Sequence, residues 1–147
     1  MVNTIVNGSD VVLFVTTTGA IKNPIAMSTS CKIAITMGII KTSSKDNGQF
    51  ESSIGGRFSW SADSEQFYSI DVDPDRQSFD ELMTLFLAKT PIVITIAKTT
   101  GVMPQVPGTG KVLSGTVLIT KLDMDAKDDN AVTYSISMEG ISALTYV

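Results

Sequence analysis

Thr, Val and Ile make up 45 of the 147 residues of this chain, mostly in short runs that alternate apolar with polar side chains. β-Branched side chains crowd the turns of a helix and suit the pleated surface of a strand, so this abundance constrains the fold more than any other feature. Residues 11–16 form the first expected strand and 25–29 a second, separated by the turn residues 19–24. Residues 32–37 set Ile33 and Ile35 opposite Lys32, Ala34 and Thr36, and residues 57–61 set Phe58 and Trp60 opposite Arg57, Ser59 and Ser61. Between them, residues 41–56 turn polar and glycine-bearing, which predicts a long loop. Further strands are expected over 92–98, 112–122, 132–138 and 141–146, with a long loop over 99–110 and an acidic turn over 123–130.

One segment breaks the period of two. Phe79, Leu82, Met83 and Phe86 fall at i, i+3, i+4 and i+7, and Ser78 with Glu81 forms an S-x-x-E capping box. Asp73, Asp75 and Asp80 stand where a helix dipole favours anions, Lys89 lies in the last turn and Pro91 ends it. The spacing predicts a helix over residues 78–89, and the extra apolar positions Leu85 and Leu87 predict cover on more than one side. Strands, one helix and strands again describe a single domain over residues 1–147, mainly β (α+β): a β-sandwich or barrel with one flanking helix.

Composition narrows function mainly by exclusion. The chain has no histidine and one cysteine, so histidine-based nucleophiles, histidine-containing zinc sites and internal disulfides are excluded. At 18% charged residues it lies below the roughly 25% usual for soluble domains, yet no run reaches the ~18 apolar residues of a membrane helix, so no membrane insertion is expected. The first apolar run, residues 11–15, follows Asp10 rather than a basic segment, and no secretory leader is expected. A net charge of −4 disfavours adhesive binding of nucleic acid, although passage of nucleic acid through an acidic channel would gain from repulsion.

Each chemical motif that suggests itself fails on its own terms. Gly108, Thr109, Gly110 and Lys111 lack the earlier glycine and the following Ser or Thr of a P-loop, having Gln105 and Val112 there. Asp71, Asp73 and Asp75 begin like a calcium loop, but Arg76 replaces its glycine and Leu82 its bidentate glutamate; these acids read better as a helix N-terminal cluster. Asp123, Asp125, Asp128 and Asp129 read as a solvated hairpin tip. Ser43, Ser44 and Lys45 sit in the most polar loop, with nothing there to lower the lysine pKa. Cys31 reads as a small buried residue and Trp60 as core. No catalytic residue, cofactor or metal site is expected.

The order of segments is more telling than any motif. Thr42, Ser43, Ser44, Lys45 and Asp46, then Phe50 and Glu51, then Gly56 and Arg57 leading into the strand at 58–61, resemble the matching part of major tail proteins, the tail tube proteins of long-tailed phages. Residues 24–31 (PIAMSTSC), the helix with the strand after Pro91, and the ending NAVTYSISMEG at 130–140 resemble other parts of that family in the same order. The resemblance implies a non-enzymatic virion protein that assembles into stacked rings, usually of six, forming a hollow tube through which DNA passes without specific binding. It implies partners as well: the chain itself, a tape-measure protein, a tail terminator, and baseplate or tail-tip proteins. Residues 42–46 with Phe50 and Glu51 would then form a subunit-interface arm, and Asp71, Asp73, Asp123, Asp125, Asp128 and Asp129 are candidates to line the bore. The tube of a type VI secretion or contractile injection system is the nearest rival; a small carboxylate-dependent enzyme or a β-sandwich binding module is a further one.

Overall fold

The computed structural model describes residues 6–16, 23–25, 28–70, 76–99, 108 and 110–147. Among the described residues, eight strands and one α-helix follow in the order β1 (Val11–Thr16), β2 (Asn23–Pro24), β3 (Ser28–Lys41), β4 (Ser53–Phe67), α1 (Phe79–Ala88), β5 (Ile92–Lys98), β6 (Leu113–Asp125), β7 (Thr133–Gly140) and β8 (Thr145–Tyr146). Their spatial order is β2-β1-β5-β6-β7-β4-β3, with β8 also on β6, and the paired strands run antiparallel.

β6 divides this sheet into two halves. β5 pairs with it over Leu113 to Val117, while β7 pairs with it from Val117 to Asp125. The first stretch therefore belongs with β5, β1 and β2, and the second with β7, β4 and β3. A bulge between Ile119 and Lys121 leaves Thr120 out of the ladder, its hydroxyl donating to the Ser137 carbonyl at 3.0 Å. One apolar cluster draws on both halves: Leu13, Val15, Ile92 and Ile94 from one, Trp60, Ala62, Tyr134, Ile136 and Met138 from the other. Leu82 of α1 is fully buried in it. The expected mainly β fold with one packed helix is what forms; among the described residues no strand pairing joins β3 back to β2, so the sheet stays open rather than closing as a barrel.

The helix follows its sequence signals closely. Ser78 is the N-cap, and its backbone N–H donates to the Glu81 carboxylate at 3.0 Å. Lys89 ends it in the left-handed conformation at φ 55°, with Lys89 N–H bonded to the Phe86 carbonyl and Thr90 N–H to the Leu85 carbonyl, each at 3.2 Å. Phe79 ties the helix start to the sheet, its ring edge-on to Tyr68 at 5.4 Å and to Tyr134 at 5.0 Å. Leu85 is half-buried, but Leu87 is 72% exposed, so within one subunit the helix is covered on one side only.

The strand boundaries diverge more. Strands over 11–16 and 92–98 form as expected, but the pair expected at 32–37 and 57–61 grows to 14 and 15 residues. Lys41 and residues 53–56 join the ladder, so the long loop shrinks to residues 42–52. Ladder hydrogen bonds are made by backbone and do not require apolar side chains, so polar ends of strands carry no periodic signal. Of the strand expected over 25–29, residues 26 and 27 lie outside the described residues, Ile25 makes an isolated bridge to Gln77, and Ser28 and Thr29 open β3. The last strand shortens to β8, because residues 141–144 pass over Trp60 instead of pairing in register.

Candidate assembly surfaces

β3 and β4 pair all the way to Lys41 opposite Ser53, but β4 meets β7 only from Ser61 to Phe67. Beyond Ser61 the two strands leave the body as a ribbon, projecting about 25 Å at a rise of ~3.3 Å per residue. Alternation carries the core face outward along it. Ile35 lies opposite Trp60 and Met37 opposite Phe58, on the side where Ile33 and Ala62 pack against the core. The Met37 sulfur overhangs Gly55, which keeps the next pair, Ile39 and Gly55, on that side. Among the described residues nothing covers this stripe: Ile39 is 65% and Phe58 73% exposed. A lone two-stranded ribbon is marginal in water, and one with an uncovered apolar stripe is a docking surface.

The loop at the ribbon's end is well braced. Thr42 N–H donates to the Ser52 carbonyl at 2.9 Å, Ser52 N–H to the Ser43 hydroxyl at 2.7 Å, and the Thr42 and Ser52 hydroxyls meet at 3.1 Å. Lys41 pairs with Glu51 across the neck, and Ser44 caps the one-turn 3₁₀ helix Lys45–Asn47. Of the seven residues expected to form an interface, Thr42, Ser43, Ser44 and Glu51 thus hold the loop's shape. Lys45, Asp46 and above all Phe50, 84% exposed, face outward. The Ser43 hydroxyl is engaged with Ser52, donating to its carbonyl at 3.1 Å and accepting from its N–H at 2.7 Å.

The opposite face of the same half-sheet is polar and small-residued. Register sets Lys32 beside Asp63, Asp63 beside Ser137, and Ser137 beside Lys121; the next row runs Glu65, Ser135, Asp123, and the next Phe67, Thr133, Asp125. Asp123 and Asp125 therefore lie on strand β6, not at a hairpin tip, a correction that follows from β6 running three residues further than its apolar pattern. Lys121 pairs with Asp123 at 2.9 Å and Lys127 with Asp125 at 3.3 Å. Asp128 and Asp129 sit in the turn beyond, the latter at φ 63°. Asp71 and Asp73 fall outside the described residues. Asp63, Glu65 and Glu139 share the face with Asp123 and Asp125 and were missed; their alternation with Ala62, Ser64 and Met138, all buried, was the available signal.

Other candidates resolve into structure. Cys31 is half-buried in β3, and burial pushes its thiol pKa up, which suppresses the thiolate. The Lys111 ammonium lies 5.0 Å from the Tyr146 ring centroid. Among the described residues, no group of three His, Cys, Asp or Glu side chains could hold a metal ion.

A β-sheet with one polar face, an uncovered apolar ribbon and, among the described residues, unpaired edges that include the outer edge of β3 and that of β6 beyond Val117 is the build of a self-assembling structural subunit. The chain belongs to the phage tail tube protein family, whose sequence profile matches residues 5–146. Solved structures share the fold. A subunit from the tail of an empty gene transfer agent (GTA) particle, refined with C6 symmetry, superposes with a TM-score of 0.79 at 18% identity, covering 97% of this chain and 99% of that one. The SPP1 tail tube gives 0.71 at 12% identity, over 97% and 78% of the two chains. A chain from the baseplate of the anti-feeding prophage (AFP) gives 0.68 at 9% identity, over 100% and 97%. No curated protein sequence matches this chain.

Proposed function

We propose that this tail tube subunit closes into six-membered rings that stack into the hollow conduit of a virion tail, with a structural and not an enzymatic role. The carrying observation is the apolar stripe of Ile35, Met37, Ile39 and Phe58, which continues the core face into solvent and finds cover only in an assembly. The unpaired edges suggest how a ring closes. Strand direction alternates across β6-β7-β4-β3, so the β3 edge of one copy meets the β6 edge of the next antiparallel, and closure leaves neither of these two edges exposed. C6 symmetry in the GTA tail supports the number six.

The polar face of β3, β4, β7 and β6 would then line the bore. Duplex DNA carries about one negative charge per ~1.7 Å of axis, and a wall bearing Asp63, Glu65, Asp123, Asp125 and Glu139 against Lys32 and Lys121 repels rather than holds it. A tape-measure protein inside, with terminator and baseplate or tail-tip proteins at the ends, completes the reading. The fold also serves a chain of the AFP baseplate, so the tube of an injection or secretion system is the rival; a neighbouring tape-measure gene favours the tail.

Electron microscopy of the purified protein tests the reading: rings or tubes are expected, and a strictly monomeric protein whose loss leaves virion tails intact would overturn it. Deleting residues 43–48 should leave a folded monomer that no longer assembles; unchanged assembly would remove the arm role from that loop.

A further inference from the structure

The unpaired edge of β3 borders a cleft. Val11 and Val12 of β1 form one wall and Ser28 to Cys31 of β3 the other, around a volume of about 380 Å³. Cys31 both lines it and packs against the apolar cluster, so the cleft lies on the core side of β3. On the unpaired edge of β6, Met124 stands 48% exposed on the core side of its own subunit, across from the buried Tyr134. One edge thus carries a hollow and the other a long, unbranched apolar side chain of the kind that fills irregular gaps.

How far the two strands slide past one another decides whether these meet. A seam keeps polar face with polar face only if Lys32 of one copy falls opposite Lys121, Asp123 or Asp125 of the next. Lys121 would set ammonium against ammonium, and this unshifted seam adds none of the stagger that closing a sheet requires. Asp125 would bring Ala126, beyond the end of β6, opposite Cys31 and leave the cleft to a single methyl group. Asp123 gives Lys32, which makes no ion pair among the described residues, a carboxylate that is exposed, held by Lys121 and still has lone pairs to offer. That register also brings Met124 opposite Cys31 and Leu122 opposite Ile33, core side to core side.

From this we infer that at each lateral seam Met124 of one subunit seats in the Val11, Val12 and Cys31 cleft of a second copy in the same ring, in the register that sets Lys32 opposite Asp123. The inference rests on the ring reading and fixes the alignment of its seam. An exposed ion pair adds little affinity, so the charges choose the register while the buried methionine and the strand-to-strand hydrogen bonds hold the contact. Knob and cleft lie on opposite edges of one chain. The contact is therefore heterologous and passes from copy to copy until the ring closes.

Cys31, the only cysteine of the chain, serves as the reporter. Assembled Met124→Cys chains, oxidised with copper phenanthroline at mildly alkaline pH because burial raises the Cys31 thiol, should give a ladder of covalent multimers up to the closed ring. The ladder should form at least tenfold faster than from Leu122→Cys or Ala126→Cys chains, which report the other two registers. A faster ladder from either of those, or none from assembled Met124→Cys chains, would overturn the inference. The knob is also tested without a thiol: Met124→Glu, a change to a side chain already exposed in the monomer, should lower ring yield at least tenfold, whereas Met124→Leu should keep it. Rings at full yield from a folded Met124→Glu chain, or loss of rings from Met124→Leu, would equally overturn it. Failure of the unaltered protein to form rings would instead sink the prior reading.

Discussion

The Trp60 indole sits where three segments meet. Its Nε1 donates to the Ser142 carbonyl at 2.7 Å, and its ring lies flat over Gly115 of β6 and Gly140 of β7. A Cβ at Gly115 would lie 2.5 Å from the ring, and one at Gly140 closer still, so glycine at both positions is set by the tryptophan above them. Gly140→Ala must displace the indole and should cost about 1–3 kcal/mol in monomer stability, read by denaturant unfolding with Trp60 as the only tryptophan fluorophore. Tyr134 is the second informative residue: burial pushes its phenol up to about 12. An unfolded chain releases that proton near pH 10, whereas the folded chain keeps it, so between pH 10 and about 12 the unfolded state binds fewer protons and stability falls as pH rises. Tyr134→Phe should flatten that part of the curve, and tyrosinate absorbance should show one phenol ionising late in the native protein. An unchanged alkaline slope would contradict the assignment.

Among the elements, α1 was the most legible and the β3-β4 hairpin the least. The helix announces itself through the spacing of Phe79, Leu82, Met83 and Phe86, the Ser78 and Glu81 box, and Pro91, because capping and periodicity are local. Its one unfavourable choice is Lys89, left-handed at φ 55° in a Schellman turn where glycine carries no Cβ penalty. Lys89→Gly should therefore stabilise the monomer by about 1 kcal/mol, seen as a higher denaturation midpoint with unchanged slope. The hairpin hid its length because Gly38, Gly55 and Gly56 and the polar run at 41–53 carry no alternation, while the ladder through them is a backbone matter. The polar face was half legible: Asp123 and Asp125 were singled out, but as a hairpin tip. Asp63, Glu65 and Glu139 joined them only once cross-strand register was known, since which acids share a face depends on pairing between distant segments.

For the molecule as a whole, low charge and an uncovered core stripe are one property. Surface that a monomer leaves to water is surface an assembly buries, and obligate interfaces are more apolar than ordinary exteriors. Five of the fifteen acids, Asp63, Glu65, Asp123, Asp125 and Glu139, stand on the face opposite the core. Asp63→Lys, Glu65→Lys, Asp123→Lys and Asp125→Lys together should leave ring formation intact, yet slow DNA ejection from particles that carry the variant, most severely at low salt where screening is weakest. Ejection at the normal rate would remove these acids from the bore.

β6 links the two halves of the subunit through one unbroken backbone, with Thr120 bulged from its ladder. Sliding one half past the other would stretch covalent bonds, whereas pivoting near the bulge only bends a strand where its ladder is already interrupted.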